Sequence, residues 1–132
     1  MKKIQTVCMI YQSPRVLLGL KKRGFGEGRW NDFGGRLEEN ETIEECAIRE
    51  TKEETGIDVK KLEKIGILDF EFKNGQNSLE VHFFQALDFL GEPVETEEMK
   101  PKWFDVDKIP FDQMWPGDKF WIPLFLAGKK FK

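Results

Sequence analysis

The chain has 132 residues, of which 39% are hydrophobic and 34% charged, and its formal net charge is −3 at pH 7. This length predicts a single domain, residues 1–132, with a buried core. The 21 basic and 24 acidic residues create no global positive field, which argues against long nucleic acid as a partner. No apolar stretch approaches membrane-spanning length and no signal peptide is recognisable, so a membrane partner is not expected.

The first part of the chain predicts two strands and a loop. Ile4–Tyr11 and Arg15–Lys22 have strand patterns, and residues 12–14, Gln-Ser-Pro, form a turn between them. Residues 23–35, RGFGEGRWNDFGG, are too rich in glycine to predict regular structure.

A helix is predicted next. Thr42 is a suitable N-cap with Glu45 three residues later, which is the pattern of a capping box. Gly56 is a suitable C-cap, so the helix is expected to run from about Ile43 to Thr55.

The second half predicts more sheet and a final helix. Leu62–Phe72 and Leu79–Leu87 are expected to form a hairpin, and a further strand covers Lys102–Phe104. Asp118–Leu126 is predicted as a helix in which Pro123 lies in the first turn or makes a kink. The order of elements predicts an α/β class with a central sheet.

Three glutamates of the first helix suggest a metal site. Glu50, Glu53 and Glu54 are three and four residues apart, so they share one side of a helix. At about 100° per residue that side also holds Ile43, Cys46 and Ala47, whereas the opposite side, expected to be wet, holds Glu45, Arg49 and Lys52. Carboxylates near a core are unfavourable without a compensating cation, which favours a hard divalent ion such as Mg²⁺. The alternative is an ordinary solvated face.

Residues 35–57, GRLEENETIEECAIRETKEETGI, resemble the Nudix box of the Nudix hydrolases. All of the fixed positions are present, namely Gly35, Glu41, Arg49, Glu50, Glu53, Glu54 and Gly56, followed by the apolar Ile57. The one soft departure is Thr51, where the family usually has an aliphatic residue, and a β-branched Thr can fill that volume.

The resemblance implies an α/β/α sandwich with a central mixed sheet and a loop-helix-loop box. It also implies attack of water on a phosphoanhydride of a nucleoside diphosphate linked to another group. Mg²⁺, or Mn²⁺ in its place, would be held by Glu50, Glu53, Glu54 and the backbone carbonyl of Gly34. Arg49 resembles the arginine that orients a metal-ligand glutamate, and its alternative is a surface salt bridge with Glu45 or Glu53. Which carboxylate is the general base and how many ions bind are left open.

The flanking segments are similar to one subfamily. Two segments resemble the mammalian-type oxidised purine nucleoside triphosphatases, which are 8-oxo-dGTP diphosphatases that sanitise the nucleotide pool. They are residues 17–36, LLGLKKRGFGEGRWNDFGGR, and residues 98–124, EMKPKWFDVDKIPFDQMWPGDKFWIPL. The similarity runs from about Thr6 to Phe131. It implies Mg²⁺-dependent hydrolysis of an oxidised purine nucleoside triphosphate to the monophosphate and pyrophosphate.

The subfamily resemblance also implies a substrate site. Asn31 and Asp118 would hydrogen-bond the purine edge from opposite walls, and Trp115 would stack on the base. Glu98 matches the metal carboxylate outside the box and is a candidate for activating water. The remaining substrate-binding positions line the pocket or lead into the box: Thr6, Lys21, Phe25, Phe33, Gly34, Gly35, Arg36 and Phe72. Of these, Thr6 and Lys21 would lie at the pocket floor and near the nucleotide sugar and phosphates.

Each of these residues has a plainer explanation. Phe25, Phe72 and Trp115 could be core aromatics, Asn31 and Asp118 could be turn residues, and Lys21 could be a solvated lysine. His82, the only histidine, is expected to be structural, and Cys8 and Cys46 are expected to be buried free thiols of a cytoplasmic protein.

Three departures separate this chain from the subfamily. The family has two successive aspartates where this chain has Gly117-Asp118. This departure puts in doubt whether the substrate range includes both oxidised guanine and oxidised adenine nucleotides. Asp32 stands where the family often has Gly. Mammalian members continue past the position of Lys132, so one side of the pocket could be more open.

Two alternative functions are left open. They are a Nudix hydrolase of another nucleotide (an unmodified or methylated NTP or a dinucleoside polyphosphate) and a nucleotide-binding module without turnover. A monomer is expected.

Overall fold

The computed structural model describes residues 2–24, 27–71, 78–115 and 118–128. Within them lie the strands β1 (Lys2–Gln12), β2 (Arg15–Lys21), β3 (Trp30–Asn31), β4 (Asp58–Glu71), β5 (Ser78–Leu90) and β6 (Met99–Asp105). The helices are α1 (Ile43–Thr55) and α2 (Asp118–Leu126), with 3₁₀ turns at Val106–Lys108 and Phe111–Gln113. In these ranges no helix is long and apolar enough to cross a membrane.

The sheet is mixed. Its strand order is β3-β2-β1-β5-β4, and β6 pairs with β2 outside that path. β1 and β5 are parallel, whereas β1–β2, β2–β3, β2–β6 and β4–β5 are antiparallel. The predicted α/β class and the predicted β4–β5 hairpin are therefore confirmed.

Alternate residues of the central strands supply two cores, one on each face of the sheet. Met9 of β1 belongs to a buried cluster that includes Trp121 and Ile122 of α2. Its neighbour Cys8 faces the other way, into a cluster that includes Ala47 of α1. Helices thus cover both faces, which confirms the expected α/β/α sandwich. Cys8 and Cys46 are buried and unpaired, also as expected.

The caps of α1 are those that the sequence predicts. The backbone N–H of Glu45 donates to Thr42 Oγ1 over 3.0 Å, and the Glu45 carboxylate accepts from the Thr42 N–H over 2.8 Å. Gly56 ends the helix at φ +80°, in the left-handed region that glycine favours. Inside the helix, the buried Thr51 donates its hydroxyl to the Ala47 carbonyl over 2.8 Å, so the departure from an aliphatic residue leaves no unmet hydrogen bond on that oxygen.

The hairpin strands are longer than predicted, since β4 begins at Asp58 instead of Leu62 and β5 ends at Leu90 instead of Leu87. Two further strand predictions need correction. The glycine-rich segment contains β3, because Gly19 pairs with Asn31 and Leu20 with Trp30. β6 is longer than predicted, since all seven of its residues pair with β2. In both cases pairing with β2 makes the segment a strand, and the local amino-acid composition does not indicate that pairing.

Candidate active site

Residues 34 and 35 form a glycine turn that lies against β1. The N–H of Thr6 donates to the Gly35 carbonyl over 2.8 Å, and the Thr6 hydroxyl lies 3.3 Å from both the Gly35 nitrogen and the Gly35 oxygen. Gly34 has φ +141°, and a Cβ there would lie 2.0 Å from the Thr6 carbonyl oxygen. Only glycine therefore lets the chain pass this close to β1 and turn toward α1. The Thr6 hydroxyl, predicted at the pocket floor, is a positioning group for this turn.

Glu54 is the most buried carboxylate of α1, with 7% of the residue exposed. Its Oε1 accepts a hydrogen bond of 2.9 Å from the Gly34 N–H. Burial raises the pKa of Glu54 to about 8, opposed by this hydrogen bond and by the positive charge of Lys21. The negative charges of Glu50 and Glu98 raise the same pKa further. A cation at this place would relieve that excess of negative charge.

Arg49 joins the box carboxylates. Its Nε and Nη2 donate to the two oxygens of Glu41 over 2.6 and 3.1 Å, and Nη1 donates to Glu50 over 2.7 Å and to Glu53 over 3.2 Å. The bonds from Arg49 to Glu41, together with a hydrogen bond from the Glu38 N–H, lower the pKa of Glu41 to about 2. The prediction that Arg49 lies on the wet side of α1 is wrong, since only 25% of its side chain is exposed and it faces the carboxylates. Arg49 does contact two of the glutamates that are predicted to bind the metal, Glu50 and Glu53.

The three glutamates differ in burial. Glu54 is buried and Glu50 is half-buried, but 58% of the Glu53 side chain is exposed, so the prediction that all three lie with the apolar residues is wrong for Glu53. Arg49 is a cation between Glu50 and Glu53, so repulsion alone does not require a metal. Across the described ranges, no three acidic, His or Cys side chains converge as a metal cluster. The predicted ligand set therefore stays a prediction.

The donor chemistry nevertheless fits a hard divalent ion. Carboxylate and carbonyl oxygens are the ligands that Mg²⁺ prefers, and the raised pKa of Glu54 shows that its anionic form is unfavourable here without a nearby cation. A Cβ on Gly35 would lie 2.4 Å from Glu50 Oε2, so the turn and the Glu50 carboxylate are in contact.

Glu98 lies just before β6, close enough for its charge to act on Glu54. Arg23 holds it with hydrogen bonds of 3.1 Å from Nε and 2.8 Å from Nη2, which lower the pKa of Glu98. Lys21, at the end of β2, influences the pKa of both carboxylates. Lys21, Glu54 and Glu98 are therefore close enough for their charges to interact.

A second group of side chains surrounds Trp115. The indole Nε1–H donates to Asn31 Oδ1 over 2.7 Å, and the backbone N–H of Trp115 donates to Asp118 Oδ2 over 3.1 Å. The guanidinium of Arg29 lies 4.6 Å from the centre of the indole ring. The three predicted base-binding residues are thus brought together, with Arg29 on one face of the ring. Burial raises the pKa of Asp118.

The other predicted substrate residues are placed differently. The ring of Phe33 is fully buried in the core with Cys8 and Leu17, so only its backbone is available for contact with a ligand. Arg36 is exposed, and its carbonyl oxygen accepts from Arg49 Nη2 over 3.2 Å. Phe25 and Phe72 lie outside the described residues. His82 is buried in β5, in line with a structural role.

The model of the NUDIX domain matches residues 1–125. The chain belongs to the Nudix family. It is 52% identical to the oxidized purine nucleoside triphosphate hydrolase of Danio rerio and 50% identical to that of Mus musculus, in each case over 98% of this chain and 83% of the relative. Among solved structures it is similar to the Mutator MutT protein of Bacillus halodurans, with a TM-score of 0.84, 32% identity, and coverage of 98% of this chain and 85% of that one.

Three contacts of this Nudix protein were not predicted from its sequence. They are the bidentate hydrogen bond of Arg49 to Glu41, the cation–π contact of Arg29 with Trp115 and the salt bridge between Arg23 and Glu98. The fixed place of Glu41 in the Nudix box was the available signal for the first. The other two join residues that are 86 and 75 positions apart, so no local spacing indicates them.

Proposed function

We propose that the protein hydrolyses oxidised purine nucleoside triphosphates, such as 8-oxo-dGTP, to the monophosphate and pyrophosphate. The observation that carries the proposal is the identity of 50–52% over 98% of the chain to two relatives that are named for this activity. The similarity is not confined to the Nudix box, so it extends to the segments that hold Asn31, Trp115 and Asp118.

The geometry supports two tasks in one molecule. The neighbourhood of Glu54, Glu50 and Glu98 would hold the triphosphate end through a divalent ion, and the group around Trp115 would hold the base. An aromatic ring supplies affinity for any purine, whereas an amide and a carboxyl group at the edge supply selection.

We infer that Glu50, Glu53, Glu54, Glu98 and the Gly34 carbonyl would hold Mg²⁺, which when bound neutralises phosphate oxygens and lowers the pKa of a coordinated water. The protein's own part is to orient these groups. Arg49 positions Glu50 and Glu53. The Gly34 N–H fixes one oxygen of Glu54. Glu54, with its pKa raised to about 8, is a carboxyl group that can hold or release a proton near neutral pH.

We also propose that the chain acts as one domain and as a monomer in the cytoplasm. The match of the domain model to residues 1–125 and the shared sheet between both cores support one domain, and the two free buried cysteines suit a reducing compartment.

The test is pyrophosphate release with Mg²⁺ from 8-oxo-dGTP and from dGTP at limiting concentrations, so that the ratio of rates reports kcat/KM. A preference of at least about tenfold for the oxidised base supports the proposal. Equal rates would point to a different nucleotide substrate. Absence of turnover with either, and with a panel of other nucleotides, would favour a binding module.

A further inference from the structure

Asp32 carries a buried polar atom that has no hydrogen-bond partner among the described residues. Its Oδ1 is shielded from solvent, and no described residue donates a hydrogen bond to it. A buried oxygen without a donor destabilises a fold by about 1–3 kcal/mol, so such an atom calls for an explanation.

The polar groups around Asp32 already have partners. Asn31 uses its Oδ1 for the Trp115 indole and its Nδ2 for the Arg29 carbonyl, over 2.7 and 2.9 Å. Asp118 accepts from the Trp121 indole with Oδ1 over 2.9 Å and from the Trp115 backbone with Oδ2. Asp32 is adjacent to Asn31 in the chain, and its carboxyl group is near enough to Asp118 for the two charges to interact. An acceptor without a donor therefore lies beside the side chains proposed to hold the base.

We propose that Asp32 is a specificity-determining residue whose carboxyl group turns toward the bound purine and accepts a hydrogen bond from one of its N–H groups with Oδ1, which is shielded from solvent in the free protein. The proposal rests on the proposed function, since it places the base beside Asn31, Trp115 and Asp118. A carboxyl group retains an acceptor oxygen whether or not it carries a proton, so the contact does not depend on the ionisation of Asp32. A buried acceptor disfavours any base that lacks the matching donor, because the oxygen then stays unpaired.

The test compares purine triphosphates that differ by one N–H group. The set is 8-oxo-dGTP, dGTP and dITP, of which dITP lacks the 2-amino group of dGTP and dGTP lacks the N7–H of 8-oxo-dGTP. Values of kcat/KM are measured for the wild type, Asp32→Ala and Asp32→Asn. Asp32→Ala is expected to lower kcat/KM by about tenfold or more for the nucleotide with the matching N–H and to flatten the ratio to the nucleotide without it. Asp32→Asn, which keeps an acceptor oxygen of similar shape, is expected to recover part of that ratio.

Two controls separate recognition from folding. Asp107→Asn changes an exposed aspartate on the first 3₁₀ turn and is expected to leave the ratios unchanged. The melting temperature of Asp32→Ala is expected to equal or exceed that of the wild type, because an unpaired buried oxygen is removed. If Asp32→Ala did not fold, the ratios of Asp32→Asn and Asp32→Ser would be used instead.

Failure of this inference is distinct from failure of the proposed function. The three bases share the N1–H, so a contact to that group would lower kcat/KM for all three nucleotides together. If the wild type hydrolyses these nucleotides and both the ratios and the separate kcat/KM values stay within about twofold in Asp32→Ala, Asp32 does not contact the base. If the wild type hydrolyses none of them, the proposed function fails. Calorimetric titration of the wild type and Asp32→Ala with 8-oxo-dGMP, dGMP and dIMP then tests whether Asp32 contacts the base. If it does, its replacement must change the relative dissociation constants of these nucleotides.

Discussion

The backbone N–H of Gly34 donates a hydrogen bond of 2.9 Å to Oε1 of Glu54. It joins the glycine turn to the last turns of α1 across 20 residues of sequence and leaves the other carboxylate oxygen, Oε2, for another contact. Because the Thr6 N–H and hydroxyl hold Gly35 against β1, the turn cannot shift easily, and Glu54 is held where burial raises its pKa.

Glu54→Gln is expected to remove turnover while the fold is kept. A glutamine oxygen can still accept from the Gly34 N–H, but the side chain loses its negative charge and its ability to take a proton. The loss in kcat is expected to be on the order of 10²- to 10⁴-fold. The measurement is pyrophosphate release, with circular dichroism as the check on folding. Near-normal rates would show that Glu54 has no part in metal binding or proton transfer.

The stability of the metal-free protein is expected to fall as pH rises from about 4.3 to about 8. In that window the folded state keeps a proton on Glu54 that the unfolded chain has released, so deprotonation favours unfolding. The loss attributable to this residue is at most about 5 kcal/mol, because each unit of pKa difference contributes about 1.4 kcal/mol. Urea unfolding with a chelator at pH 5, 6.5 and 8 measures it.

Glu54→Gln is the matched variant for that experiment, and its free energy of unfolding should fall less steeply with pH than that of the wild type. Glu44→Gln, on the solvent side of the first turn of α1, is the control. Parallel curves for the wild type and Glu54→Gln would contradict the raised pKa.

Gly35→Ala is expected to impair catalysis more than stability. The new Cβ would lie 2.4 Å from Glu50 Oε2, and a flexible side-chain end can move away. Glu50 would then shift relative to Arg49, and the concentration of Mg²⁺ required for half-maximal rate is expected to rise by about 10- to 100-fold. A metal titration of the rate measures it.

Gly28→Ala is the control for Gly35→Ala. A Cβ at Gly28 meets nothing within 4 Å, but its φ of +86° strains an alanine, so this variant should lose stability without any change in Mg²⁺ dependence. The same Mg²⁺ requirement in Gly35→Ala and the wild type would show that Glu50 is not a ligand.

Most of the fold could be predicted because its signals are local. The helix α1 begins at Thr42 with a capping box and ends at Gly56, and both caps can be read from a few neighbouring residues. β3 could not be predicted, since two residues in a glycine-rich segment become a strand only by pairing with Gly19 and Leu20.

In the candidate site, too, features that depend on neighbouring residues could be predicted, whereas features that depend on distant residues could not. The order of Glu50, Glu53 and Glu54 along α1 is evident from the sequence, but their burial is not, because helical angle alone does not show how far the turn at Gly34 covers each of them. Arg49 shows the limit of the angular argument, since its long side chain bends from the side assigned to solvent to reach Glu41.

Arg49→Lys is expected to lower both activity and stability, although the charge is kept. A lysine offers one ammonium group, so it cannot donate to both oxygens of Glu41 and also reach Glu50 as the planar guanidinium does. The expected losses are about 10- to 100-fold in kcat and about 1–3 kcal/mol in the free energy of unfolding. Arg15→Lys, on the far end of β2, is the control for the loss of a guanidinium.

The partner variant Glu41→Gln separates the two roles of Arg49. If Arg49 acts on Glu50 through its anchorage to Glu41, then Glu41→Gln alone should lower kcat with little change in KM, because Glu41 itself is not proposed to contact substrate. The double variant should then lose less than the sum of the single losses, since each removes the same two-pronged bond. Steady-state kinetics and urea unfolding of the four proteins measure this coupling. Fully additive losses would mean that Arg49 acts independently of Glu41, through Glu50 and Glu53 alone.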